Sequence, residues 1–294
     1  MSRFFKLLSL LIIGILIVSC RPTAAATPTP VEVPPTASIA PTATMEPTPT
    51  ITPTPAPTQT PTPRLLNIPA GPVTAPVLLY HHVTTAMEDS RYNVDPQKFE
   101  EQMHWLFENG YQTITVSQLV DLIYNGGQVP ERPVVITIDD GNADIYSTAY
   151  PILQKYGFVA TFYVVKSYIN GEDMVTTDQL KELAQAGWEI GSHSKTHAHL
   201  PAPGVDLAEE IRMSKLDLED MLGVKVNSFA YPFGEINDEV IRLTSAYGYT
   251  SGMGLTESVV HDLNSIFYLS RIEIQSDYDL QKFISLMPWS EALP

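Results

Sequence analysis

Cysteine is almost missing: Cys20 is the only one in 294 residues, so no disulfide can form within a single chain. Whatever holds the fold together must therefore come from a packed core. Positive charge is scarce as well. Lys and Arg total 17 against 33 Asp and Glu, a formal charge of −16. Nucleic-acid binders are basic, so no nucleic-acid partner is expected. The acidity suits a neutral polymer or a product that becomes cationic, and it also serves solubility alone. No internal repeat runs through the chain. The apolar stretch Leu7 to Val18 is only about a dozen residues long, short of the ~20 that a membrane-spanning helix needs.

What is present begins with an export signature. Arg3 and Lys6 precede the apolar stretch, and Ile17-Val18-Ser19-Cys20 has the form of a lipoprotein cleavage box. Residues 1–20 are therefore expected to be a lipoprotein signal peptide with Cys20 as the lipid anchor. A plain signal peptide, or an uncleaved anchor helix with a chance cysteine, is the alternative. Residues 21–67 are a Pro/Thr-rich linker, as in Pro47-Thr48-Pro49-Thr50. Such a segment buries too little apolar area to fold and is expected to be disordered. Proline biases it to polyproline II, which at ~3.1 Å per residue reaches on the order of 100 Å. Its threonines offer acceptors for O-glycans. Residues 68–294 are expected to form one domain, held outside the cell or in the periplasm and acting as a monomer.

Within that domain, strand and helix signals alternate. Pro76 to Tyr80 reads as a strand ending in His81-His82. Asp95-Pro96 opens a helix with Phe99, Met103, Leu106 and Phe107 at helical spacing. Further helices are predicted over 117–124, 143–156, from Thr177 to Gly187, over 206–222, 237–247 and 279–286. Strands are predicted over 111–115, 133–138, 160–165, 188–191, 226–230, near Thr250 and over 267–274. This alternation implies an α/β fold with a parallel sheet, and so many units favour closure into a barrel.

Two segments carry the chemistry. Pro133-Val134-Val135-Ile136-Thr137-Ile138 is apolar on both faces, as in a buried parallel strand. It delivers Asp139-Asp140-Gly141 to the carboxyl end of the sheet, where α/β sites are built. Adjacent aspartates on a strand point to opposite faces, but a turn at Gly141 would aim both at one cavity. Helix capping by Asp140 or Asn142 is the competing reading. His193-Ser194-Lys195-Thr196-His197 adds imidazoles four residues apart, able to reach one ion. Solvated histidines on a polar loop are the alternative. One carboxylate would ligate a divalent metal and the other would take a proton from water, which describes a metal-dependent hydrolase.

Thr137-Ile138-Asp139-Asp140-Gly141 resembles the TFDDG motif of the NodB-like polysaccharide deacetylases, carbohydrate esterase family 4. His193 to His197 matches their H-[ST]-x-x-H, and Ala230-Tyr231-Pro232-Phe233-Gly234 is similar to their R-x-P-Y-G. The likeness runs from about Val77 to Ile274. It implies a distorted (β/α)7 barrel, with Asp139 as catalytic base and Asp140, His193 and His197 as metal ligands. The metal implied is zinc, with cobalt or nickel also accommodated by such ligands. Tyr231, Pro232 and Phe233 would face substrate, the backbone N–H of Phe233 helping to hold the oxyanion. Two departures stand out. Ala230 replaces the motif's Arg, and the late Leu-x-His reads Leu269-Ser270-Arg271. Leu79-Tyr80-His81 supplies Leu-x-His at the start of the domain instead. This resembles the permuted branch that contains the poly-β-1,6-N-acetylglucosamine deacetylases. His81 is then the expected general acid, and Arg271 the replacement guanidinium that orients Asp139. His82, His199 and His261 receive no role. Phe162, Tyr163 and Trp188 belong either to the core or to a sugar groove, and Trp289 would cover the barrel.

The expected function is removal of N-acetyl groups from an extracellular or cell-wall N-acetylglucosamine polymer. An O-acetyl esterase using the same site, or a polysaccharide-binding lipoprotein with an impaired site, are the rival readings.

Overall fold

The computed structural model describes residues 64–86 and 90–289. The expected signal peptide, Cys20 and nearly all of the expected linker lie outside the described residues. Among the described residues, no helix is long and apolar enough to cross a membrane.

Seven parallel strands form one curled sheet: β1 Val77–Tyr80, β2 Pro133–Ile138, β3 Thr161–Val164, β4 Glu189–Ser192, β5 Ser228–Ala230, β6 Ser251–Met253 and β7 Ile272–Glu273. Their order is β6-β5-β4-β3-β2-β1-β7. Every residue of β1 to β5 is buried, because both faces of the sheet are covered. Side chains alternate between two cores. Leu78, Val134, Ile136, Phe162, Ile190 and Phe229 pack outward against the helices. Val77, Val135, Tyr163 and Ala230 pack inward with Val116, Leu119, Val120 and Ile123. Those last four belong to the helix α2 Val116–Asn125, which follows α1 Pro96–Glu108 and plugs the amino end of the barrel.

The seam is closed by the segment before and within β7. Leu269 bridges Met253 of β6 in parallel, while Ile272 and Glu273 pair with Leu78 and Leu79 of β1. The distortion has a visible cause. The short strand Gln112–Thr113 pairs with Pro133 and Val134 on the side of β2 whose upper residues, Thr137 and Ile138, pair with β3. It wedges those two strands apart at the amino end.

Several boundaries differ from the sequence reading. The domain already includes residues before Ile68: Leu65–Ile68 is a strand, paired antiparallel with Gly127–Pro130. Four backbone-paired residues outweigh the linker-like composition around them. The helix predicted from Thr177 to Gly187 runs Thr177–Gln185 and is capped by Thr176, with which Gln179 completes a capping box. The segments 143–156 and 206–222 are not uniform helices. Each opens with a π-helical turn, Ile145–Ala149 and Ala208–Met213, before the α-helices Tyr150–Lys155 and Ser214–Leu222. His261 is not on an open loop. It lies in the strand Val260–His261, fully buried, with Nε2 3.0 Å from the carbonyl of Ala75. Trp289, expected to cover the barrel, lines with Leu66, Ile68 and Val73 a depression beside the amino end.

Candidate active site

The carboxyl ends of the strands open on a cavity of about 400 Å³. Asp139 stays in the sheet ladder, its N–H donating to the Tyr80 carbonyl at 3.0 Å. Asp140 then turns to φ 76° and Gly141 to φ 91°. That reversal brings both carboxylates to one cavity, which a regular strand could not do.

Asp140, His193 and His197 offer ligand atoms that all lie within 4.8 Å of one another. Asp140 Oδ1 is 3.5 Å from Nε2 of each histidine. Nδ1 of His193 lies 2.7 Å from the Ala230 carbonyl. Donation from Nδ1 leaves Nε2 as the free lone pair, the arrangement that a metal-binding imidazole needs. The donor set, one carboxylate and two imidazoles, suits zinc with a position left open.

Asp139 is buried, and Arg271 donates to its Oδ1 from Nη1 at 2.8 Å. Burial alone would raise the Asp139 pKa. The charges of Arg271 and His193 outweigh it and hold the carboxyl below its ordinary value. Arg271 is 1% exposed and is itself anchored by Nε donating to the Gly254 carbonyl at 3.0 Å. The guanidinium reaches Asp139 from the seam of the barrel. His81 lines the same cavity, its ring 4.7 Å from that of Tyr92. Burial lowers its pKa, and the charges of Asp139 and Asp140 offset this in part.

The substrate-facing trio divides. Phe233 is at the rim, 49% exposed, with φ 61° and its ring stacked on His199 at 4.0 Å. Tyr231 borders the cavity but its ring is buried, the hydroxyl donating to the Phe267 carbonyl at 3.0 Å. Pro232 is buried and does not line the cavity. Phe162, Tyr163 and Trp188 are core residues.

Six non-glycine residues among those described have positive φ; three of them, Asp140, His197 and Phe233, line this cavity, and a fourth, Ser194, follows directly on His193. Such conformations cost of order 1–3 kcal/mol each and persist where the surroundings enforce them. Here the enforcement is visible. Ser194 Oγ accepts from the His197 N–H at 2.8 Å, and Glu210 accepts from the N–H groups of Lys195 and Thr196. On the opposite wall Asp144 accepts from the Val83 N–H and holds Nδ1 of His82 at 3.2 Å. Glu210 lies in one π-helical turn and Asp144 directly precedes the other. The sequence offered no signal for either, since both look like ordinary first-turn acids of helices.

A family profile described as polysaccharide deacetylase matches residues 126–252. YxkH of Bacillus subtilis, which carries the polysaccharide deacetylase name, is 31% identical over 205 residues, 69% of this chain and 72% of that one. The poly-β-1,6-N-acetyl-D-glucosamine N-deacetylase of Staphylococcus aureus is 28% identical over 210 residues, 66% of this chain and 72% of its own. Among solved structures, the Streptococcus pyogenes deacetylase PplD, in complex with acetate, superposes with a TM-score of 0.68 at 27% identity, covering 74% of this chain and 99% of that one.

Proposed function

The chain belongs to the polysaccharide deacetylase family, and from that premise we propose that it is a metal-dependent N-deacetylase of an extracellular or cell-wall N-acetylglucosamine polymer. The observation that carries the reading is the convergence of Asp140, His193 and His197 beside an Arg271-paired Asp139, with His81 on the same cavity. A divalent ion, zinc by its donor chemistry, would sit on Asp140, His193 and His197 and supply Lewis-acid polarisation of the carbonyl and a lowered water pKa.

The remaining work falls to the chain's own groups. Asp139, kept ionised by Arg271, takes the proton of the attacking water. The N–H of Phe233 donates to the oxygen that becomes negative as water adds to the amide carbonyl. His81 protonates the nitrogen as the C–N bond breaks. Acetate and a free amine leave. The S. aureus relative, named for the poly-β-1,6 polymer, supports an amide over an ester and that linkage over others.

Cys20 as lipid anchor and residues 21–67 as a spacer would place this domain away from a bacterial membrane and within reach of such a polymer, as a monomer. Incorporation of labelled palmitate that disappears in Cys20→Ala tests the anchor.

Acetate release by the zinc-loaded protein tests the activity, on β-1,6 and β-1,4 N-acetylglucosamine oligomers and on acetylated xylan. Release from an oligomer that vanishes in Asp139→Asn is the expected result. Release from xylan alone would reassign the chain as an esterase, and none from any substrate would leave a binding lipoprotein.

A further inference from the structure

Beneath the site, the barrel interior holds a second buried carboxylate that the chemistry does not use. Glu189 of β4 faces inward at the amino end. Its Oε2 accepts from the N–H of Ser117 at 2.7 Å, in the first turn of α2, where the helix dipole favours an anion. Its Oε1 accepts from the hydroxyl of Ser228 at 2.7 Å. Ser228 Oγ in turn accepts from the hydroxyl of Tyr163 at 3.0 Å. Tyr163 is fully buried, and burial pushes its pKa well above the ordinary value, so the phenol stays a donor.

The ring of Tyr163 is fixed along its length. It lies against Gly191 of β4, where even a Cβ would come within 2.3 Å of it. Over its other end sits the guanidinium of Arg271, with Cζ 5.8 Å from the ring centroid. The column therefore runs without interruption from Glu189 through Ser228, Tyr163 and Arg271 to Asp139. The five side chains come from β4, β5, β3, the seam segment and the end of β2.

We propose that Tyr163 is a positioning residue: its ring supports the guanidinium of Arg271 and so fixes the direction in which Asp139 is held. The proposal rests on the reading of Asp139 as a base oriented by Arg271. Among the described residues, two hydrogen bonds alone fix that guanidinium, the Gly254 carbonyl at Nε and Asp139 at Nη1. Neither resists a swing of the group about the axis joining them. An aromatic face does, and a cation over such a face in a site shut off from water is held firmly. The ring itself cannot drift, because the Glu189 chain holds its hydroxyl and Gly191 its flank.

The test compares Tyr163→Phe, Tyr163→Leu, Arg271→Met and the Leu/Met double variant, each zinc-loaded, on the oligomer that the wild type deacetylates fastest. Thermal midpoint and zinc content are read alongside, and Tyr163→Met replaces the leucine variant if that one does not fold. Tyr163→Phe keeps the ring and is expected within about threefold of wild type. Loss of the ring should cut kcat roughly 10–30-fold with KM unchanged. In the Arg271→Met background the same substitution should cost nothing further, since there is no guanidinium left to support. An undiminished loss in that background would make Tyr163 purely structural and overturn the proposal. So would full activity of Tyr163→Leu beside an impaired Arg271→Met. If Arg271→Met is itself fully active, the orientation of the base by Arg271 falls first, and the two failures are distinguished.

Discussion

The two ends of the barrel treat charge in opposite ways. At the amino end, Glu189 receives two short hydrogen bonds and a longer one from Thr161 at 3.4 Å, and its helix and strand neighbours are in ordinary conformations. At the carboxyl end, Asp140 stands 3.5 Å from two imidazoles, and Nδ1 of His81 is buried without a hydrogen-bond partner among the described residues. Four residues there hold left-handed backbone. One buried carboxylate is thus complete within the protein, and the other cluster is complete only with something added. Local rules are kept around Glu189 and broken around Asp140. The fold tolerates the second because the first is firm.

This contrast predicts which variants lose activity and which lose stability. The largest effect belongs to Asp139→Asn, which keeps the shape and removes the base. It should lower kcat by ~10²–10⁴ while the thermal midpoint moves by less than about 5 °C. Acetate release and calorimetry on one preparation check both halves, and a variant retaining a third of its activity would erase the division between the ends. Metal removal is the reversible version. A chelator should abolish acetate release, zinc should restore it, and the circular dichroism should not change, because no core side chain depends on the ion. Glu189→Gln should behave in the opposite sense. It loses the charge that Ser117 and Ser228 are aimed at, costing ~1–3 kcal/mol in denaturant unfolding, with kcat within about threefold of wild type. The smallest effect concerns His261, also near the amino end. Burial holds its pKa below the ordinary 6.5, so the unfolded chain binds a proton that the native one does not. Its contribution to stability is therefore present above about pH 6.5 and is lost as pH falls below it, by at most about 1.4 kcal/mol per pH unit. Urea midpoints between pH 7 and 5 should show a shallower slope in His261→Gln.

The parts of the site that lie on one stretch of chain were legible from the residues. The apolar run of β2 announced a buried strand, and a buried strand ending in two aspartates and a glycine announced a turn. His193 and His197 share a loop. Arg271 and His81 were reachable only through the departures from the family's motifs, which left two roles open and two residues to fill them. Nothing local marks Glu189, which sits in a strand of mixed character, or links it to Ser117, 72 residues away. Tyr163 could be read as core or groove, and it is core in contact with the site's own arginine. Glu210 and Asp144 looked like helix-opening acids because a π turn and an α turn have the same composition. His261 looked solvated because its neighbours are polar, while the strand that buries it, Val73–Thr74, lies far earlier in the chain. In each case the missing information was a pairing between distant segments.

Closure of the sheet has a consequence for the order in which the enzyme becomes competent. The seam joins β1, the first barrel strand made, to the segment 269–273, among the last. His81 follows directly on the former and Arg271 belongs to the latter. A chain emerging during synthesis therefore owns its aspartates and histidines long before it owns the guanidinium that pairs with Asp139. Completion of the barrel and completion of that ion pair are the same event, and a chain cut short of Arg271 has neither.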